Sequence, residues 1–142
     1  MKKFTDLATT PPKSLKKEQL IKKTKKFVEP IHMEQHKLFA EHKRSLLIIL
    51  QGMDASGKDG VIKQIFSSVN PQGVSVASFK KPSSIELSHD FLWRIHNEVP
   101  AKGMIKIFNR SHYEDILVPS VNKTITDDNL KSRARMINEF EE

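Results

Sequence analysis

The stretch Gly52-Met53-Asp54-Ala55-Ser56-Gly57-Lys58 has glycine, four residues, glycine and then lysine. That spacing suits a loop that cradles phosphate. Gly52 and Gly57 permit backbone turns that aim successive N–H groups at phosphate oxygens, with Ala55, Ser56, Asp59 and Gly60 completing the binding stretch. The helix expected to begin near Gly57 adds unpaired N-terminal donors and the positive end of its dipole. Lys58 supplies a mobile point charge for terminal phosphates. Two acids are unusual in this setting. Asp54 would repel phosphate unless a cation lay between them, and Asp59 stands where serine or threonine ordinarily holds magnesium. Together Asp54 and Asp59 point to Mg²⁺ held by carboxylate and phosphate oxygens. A role for Asp59 as a first-turn dipole partner of the helix stays open.

Further cations follow at two other places. Arg110 comes just after a short apolar run and can bind phosphate oxygens bidentately and stabilise charge on a transferring group. An ion pair with Glu114 or Asp115 is the alternative. Asn109, beside it, occupies a place where phosphate-loop enzymes often carry a magnesium-holding aspartate. Lys80 and Lys81 follow another apolar run and either hold a polyanionic chain or form a solvated pair. Trp93 reads as a packing residue, and Met33, Met53, Met104 and Met136 as gap-fillers in or near the core. The six histidines show no metal-ligand spacing.

Elements able to hold these groups are legible around them. Leu46-Leu47-Ile48-Ile49-Leu50 is too short for a buried helix and suits a strand covered on both faces. Beyond the loop, Val61, Ile62, Ile65, Phe66 and Val69 share one helical face, ended by Pro71 and Gly73. Residues 74–79 and 104–108 read as two more strands. Ser83 and Glu86 have capping-box spacing and open a helix predicted to reach about residue 97. Thr126-Asp127-Asp128 starts a last helix. Upstream, residues 1–13 lack periodicity and are expected to be a flexible lead-in. Ser14 is the expected cap of a helix that Pro30 should end, with a second helix over 31–42. The pattern, helices and then strand–helix three times, specifies an α/β fold with a parallel sheet flanked by helices. It divides into a helical segment over 14–44 and a P-loop kinase-like domain over 45–142.

The composition narrows the chemistry. The chain has 142 residues, 37% hydrophobic and 29% charged, as in a soluble globular domain. No apolar run approaches the ~20 residues that span a bilayer. No signal-peptide pattern follows the first lysines, so a cytoplasmic location without a membrane partner is expected. The absence of cysteine excludes disulfides, thiolate zinc sites and thiol nucleophiles. Lys and Arg number 24 against 17 for Asp and Glu, a formal charge of +7 that favours an anionic partner. The lysines between Lys2 and Lys26 fit a solvated helix face and terminus. With 7% aromatics and no recognised module, nucleic acid is not the expected partner.

Three motifs taken together carry a resemblance: residues 50–60, Leu92-Trp93-Arg94, and Phe108-Asn109-Arg110-Ser111-His112-Tyr113-Glu114-Asp115. From about Ser14 to Glu142 the chain resembles the polyphosphate kinase 2 family. The resemblance implies a thymidylate-kinase-like fold and Mg²⁺-dependent phosphoryl transfer between inorganic polyphosphate and a nucleoside mono- or diphosphate. It places Asp54 and Lys58 on catalytic positions of the phosphate loop, Arg110 on the arginine of the second motif and Arg94 on the arginine after the tryptophan. The family allows Asn109, which leaves the metal more dependent on Asp54 and Asp59. The alternatives are an ATP-dependent nucleotide kinase and a polyphosphate-binding module without catalysis, the latter dimerising through its N-terminal helices; a homo-oligomer is left open. The kinase domain is expected to be interrupted before its lid, because the last helix ends in Phe140-Glu141-Glu142, acids where a helix favours bases. Without further strands, the run at 46–50 is expected to be an exposed apolar edge.

Overall fold

Three parallel strands, β1 (Leu46–Leu50), β2 (Val74–Ser78) and β3 (Ile105–Asn109), lie in the order β1-β3-β2. Leu50 and Ser78 both align with Asn109, so the strands end level and the segments after them share one rim. The computed structural model describes Thr10, Pro12 and residues 14–142; the lead-in expected over 1–13 otherwise lies outside the described residues.

The central strand is β3, in which Ile107 and Phe108 are fully buried. Each such side chain contributes about 1.5–3 kcal/mol. Phe108 packs with Ala77, Phe79, Leu92, Ile95 and Ile137, and the Phe79 ring meets it edge-on at 4.8 Å. Among the described residues β1 is an edge strand of this sheet, and its apolar run is only half-buried, as expected of such an edge. Its two faces are partly covered, but its outer edge is not paired among the described residues.

The helices depart from expectation in three places. α1 (Lys17–Glu41) is one helix through Pro30, not two, and it begins after Lys16 without a side-chain cap instead of at Ser14. Proline inside a helix costs about 3 kcal/mol. Phe27, Ile31 and Leu38, on both sides of Pro30, line one groove with Leu46 and Ile48, although Phe27 is still 63% exposed. α2 (Lys58–Phe66) follows the loop as expected, and a 3₁₀ turn, Pro71–Gly73, leads into β2. The helix predicted over 83–97 is two short ones, α3 (Ser84–Leu87) and α4 (Trp93–His96). Its capping box between Ser83 and Glu86 is present. The break comes where Ser88 Oγ donates to the Ile85 carbonyl at 2.7 Å and Asp90 Oδ1 accepts from Leu92 N–H at 2.9 Å. Such local bonds compete with the helical ladder. α5 (Glu114–Asn122) was not legible, because Pro119 lies inside it. α6 (Asp127–Glu141) starts at the Thr126 cap as expected.

Trp93 is a packing residue, stacked on His89, but at 38% exposure it lies outside the core. The expectation for the methionines is corrected. Met33, Met53 and Met136 are also exposed, Met53 by 85% at the tip of the glycine-rich loop.

Candidate functional site

The loop between β1 and α2 is built on two unusual backbone positions. Gly57 has φ 93°, and Ala55 adopts the left-handed region at φ 60°. Gly52 lies close under the loop: a Cβ there would stand 2.9 Å from Ser56 Oγ and would make that hydroxyl turn aside. Lys58, the first residue of α2, folds back over this turn. Its Nζ donates to the carbonyls of Gly52 and Met53, both at 2.7 Å, and to Ser56 Oγ at 3.3 Å.

The end of β3 meets the loop. Arg110 N–H donates to the Leu50 carbonyl at 3.0 Å, and the residue holds φ 63°. Its guanidinium pairs with Asp54, and Nη1 lies 3.8 Å from Glu114 Oε2. The principal partner is thus an acid of the loop, with Glu114 more distant. Asn109 Nδ2 donates to Asp59 Oδ1 at 2.6 Å, which ties the strand end to the first turn of α2. The Asp54 side chain is 85% exposed.

These groups converge on one cleft of about 730 Å³, lined by residues 54–60, Lys80, Lys81, Asn109 and Arg110. Ser78 and Phe79 complete its wall. The sequence-predicted phosphate residues therefore share one surface, except Gly52, which supports the loop from an adjoining hollow. Four of the lining side chains are cationic and two are carboxylates, so the cleft suits an anion.

Arg94 is placed differently. It is buried, donating from Nη1 to the Lys80 carbonyl and from Nη2 to Asp115 Oδ2, each at 2.9 Å. Its Cζ lies 5.5 Å from the centre of the Phe79 ring. Arg94 thus fastens the β2–α3 connection to α5 and does not line the loop's cleft. Glu86, at 3.9 Å from Arg94, is held below the usual carboxylate range, first by the Ser83 backbone N–H and then by its hydroxyl.

Other contributors were quoted in the motifs without a role. Gln51 Nε2 donates to Glu114 Oε1 at 2.7 Å, and Ser111 Oγ donates to Gln51 Oε1 at 3.2 Å, cross-linking the two loops. Only their place beside the glycines and Arg110 could have signalled this. A second cleft of about 690 Å³ shares Phe79, Lys80, Lys81 and Arg110 with the first and continues over Phe91, Pro119 and Ile125 to Arg133. Nothing in the spacing of those residues pointed to it.

The described chain matches a known family. The family model for polyphosphate kinase 2 covers residues 13–142. The chain belongs to the polyphosphate kinase 2 family. Among family relatives, the AMP/ADP-polyphosphate phosphotransferase of Meiothermus ruber is 51% identical over 107 residues, covering 75% of this chain and 40% of that protein. The ADP-polyphosphate phosphotransferase of Rhodopseudomonas palustris is 49% identical over 98 residues, 69% of this chain and 34% of the relative. The crystal structure of polyphosphate kinase 2 from Arthrobacter aurescens TC1 superposes with a TM-score of 0.90 at 37% identity. That match covers 98% of this chain and 51% of the other, so the chain spans about half or less of these polyphosphate kinase 2 relatives.

Proposed function

We propose that this chain carries the phosphate-loop half of a phosphotransferase that moves phosphoryl groups between inorganic polyphosphate and a nucleoside mono- or diphosphate. The observation that carries the reading is the joining of two clefts at one cationic wall. The loop cleft offers N–H groups and Lys58 to a run of phosphates. The adjoining cleft adds apolar surface from Phe91, Pro119 and Ile125 beside Lys80, Lys81 and Arg110, as a phosphorylated nucleoside requires. The relatives named for polyphosphate and AMP or ADP support the same substrates.

Written toward nucleotide synthesis, an oxygen of the acceptor's terminal phosphate attacks the terminal phosphorus of polyphosphate. The bond to the bridging oxygen breaks, and the shortened chain leaves with the electron pair. Such a transfer asks the protein for alignment and charge stabilisation more than covalent chemistry. Lys58 exchanges its loop carbonyls for phosphate oxygens, and Arg110 exchanges Asp54 for the equatorial oxygens of the moving group. Lys80 and Lys81 hold the polyanion, and Arg94 acts from behind by fixing the Lys80 backbone. Asn109 keeps Asp59 aligned.

Mg²⁺ fits this donor set. Among the described residues no cluster of three or more metal-binding side chains exists, whereas Asp54 and Asp59 line the loop's cleft. Magnesium is commonly held by one or two carboxylates together with substrate phosphates and water. When bound, it neutralises charge on the reacting phosphates. A location in the cytoplasm accords with this chemistry, and no helix among the described residues is long and apolar enough to cross a membrane.

The test supplies polyphosphate as sole donor, with magnesium and AMP or ADP, and follows the phosphorylated nucleotide. Turnover that disappears in Lys58→Ala supports the reading. Turnover with ATP alone would favour an ATP-dependent kinase, and polyphosphate binding without turnover a binding module.

A further inference from the structure

The segment after β3 is gripped by α6 at two points that the proposed chemistry does not use. His112 is fully enclosed, and its Nε2 lies 2.9 Å from Glu141 Oε1. The Tyr113 hydroxyl donates to the same oxygen at 2.8 Å. One carboxylate oxygen therefore receives both side chains that follow Ser111. Further along, Arg133 Nη1 donates to the Asp115 carbonyl at 2.7 Å. Phe140 adds an edge-on contact to the His112 ring at 5.4 Å. His112 Nδ1 is buried without a hydrogen-bond partner among the described residues, so Nε2 carries this ring's only polar anchor.

The anchor matters because of what precedes it. Arg110, two residues upstream, holds a left-handed backbone at φ 63°, a region that side-chain-bearing residues keep only when their surroundings enforce it. At Arg110 itself the restraint is its N–H bond to the Leu50 carbonyl; downstream, Gln51 holds Ser111, and Glu141 holds the next two residues, His112 and Tyr113. We infer that Glu141 is a positioning residue for Arg110: by receiving His112 and Tyr113 it holds the turn in the conformation that presents Arg110 to the phosphate loop. The inference rests on the proposed role of Arg110 as a phosphate ligand, and it makes the last turn of α6 part of the site although Glu141 does not line the loop's cleft.

The sign of the effect separates positioning from bulk electrostatics. Deleting an exposed acid from a polyanion-binding protein should strengthen binding, whereas loss of a positioning contact weakens it. Binding of inorganic polyphosphate of one defined length is measured calorimetrically for the parent chain, Arg110→Ala, Glu141→Ala, Glu141→Gln and the double variant. Arg110→Ala is expected to weaken binding about tenfold. Glu141→Ala should weaken it about fivefold, and the double variant should bind no worse than Arg110→Ala alone, because coupled residues are not additive. Glu141→Gln keeps an acceptor oxygen and should stay within about twofold of the parent.

Parent-like affinity in Glu141→Ala overturns the inference, as does an additive double variant. Weakening by Glu141→Gln as large as by alanine also overturns it, since charge and not the acceptor would then be at work. Should Glu141→Ala fail to fold, Tyr113→Phe removes one of the two hydrogen bonds and enters the same cycle, where additivity again decides against the inference. A parent chain that binds no polyphosphate defeats the proposed function itself, and the role of Glu141 with it.

Discussion

Of the charged groups at the cleft, Lys58, Arg110, Asp54 and Asp59 each have an internal partner that a bound ligand or metal would displace. Lys58 rests on two carbonyls, Arg110 on Asp54, and Asp59 on Asn109. Lys58→Ala should therefore lower polyphosphate affinity by about tenfold or more while leaving the fold intact, since the loop oxygens it abandons are at most part-buried and can turn to water. Calorimetry for affinity and circular dichroism for fold check both halves. A second residue responds to pH. Burial, then the hydrogen bond to Glu141, raises the Tyr113 phenol above its ordinary value of 10.0. The folded state thus holds its proton longer than the unfolded chain. The stability this contributes is complete below the unfolded value and is lost as pH climbs through the raised one. Urea midpoints of the parent should fall across that alkaline window, and Tyr113→Phe should flatten the part of the fall due to this group. An equal fall in both proteins would remove Tyr113 as its source.

Elements meet through a few close approaches. Gly103, in the turn before β3, has φ 83°, and a Cβ on it would stand 2.6 Å from His42 Nδ1 at the end of α1. Its N–H donates to the Arg44 carbonyl at 2.7 Å, so the turn cannot easily retreat. Gly103→Ala combines a left-handed penalty with a clash and should cost about 2–3 kcal/mol. A lowered urea midpoint with unchanged slope would show it; an unchanged midpoint would mean that α1 shifts freely against β3. The same scale explains why the helix boundaries were misread. Proline statistics favoured a break at Pro30, yet α1 runs through it, with Phe27 on one side and Ile31 and Leu38 on the other lining one groove beside β1. Ser88 and Asp90, by contrast, are ordinary residues in a helical pattern, and only their hydrogen bonds to nearby backbone split α3 from α4.

Across the whole molecule, the outstanding feature is the edge of the sheet. Leu46 N–H donates to the Met104 carbonyl, and the Leu50 carbonyl accepts from Arg110 N–H. Alternation along a parallel strand therefore turns the peptide groups of Leu47 and Ile49 outward, away from β3. β1 carries no charge or proline that would discourage another strand from pairing there. In hydrogen exchange, the Leu47 and Ile49 amides should exchange at least about tenfold faster than that of Ile107 in the central strand. Equal protection would show that something covers the edge in solution.

The sequence by itself determined the ingredients of the candidate site: the loop from Gly52 to Gly60, the strand and helix that frame it, and the cations at Lys80, Lys81 and Arg110. Those are local matters, because glycine spacing, apolar runs and caps act within a few residues of where they are written. The tertiary structure decided what depends on residues far apart in the chain. It made β3 the central strand, and it paired Arg110 with Asp54 instead of leaving it to Glu114 or Asp115. It also committed Arg94 to Lys80 and Asp115, and brought Glu141 to His112 across 29 positions. No spacing rule encodes such partners. They meet because level strand ends and the packing of α6 over β3 bring their side chains to one place.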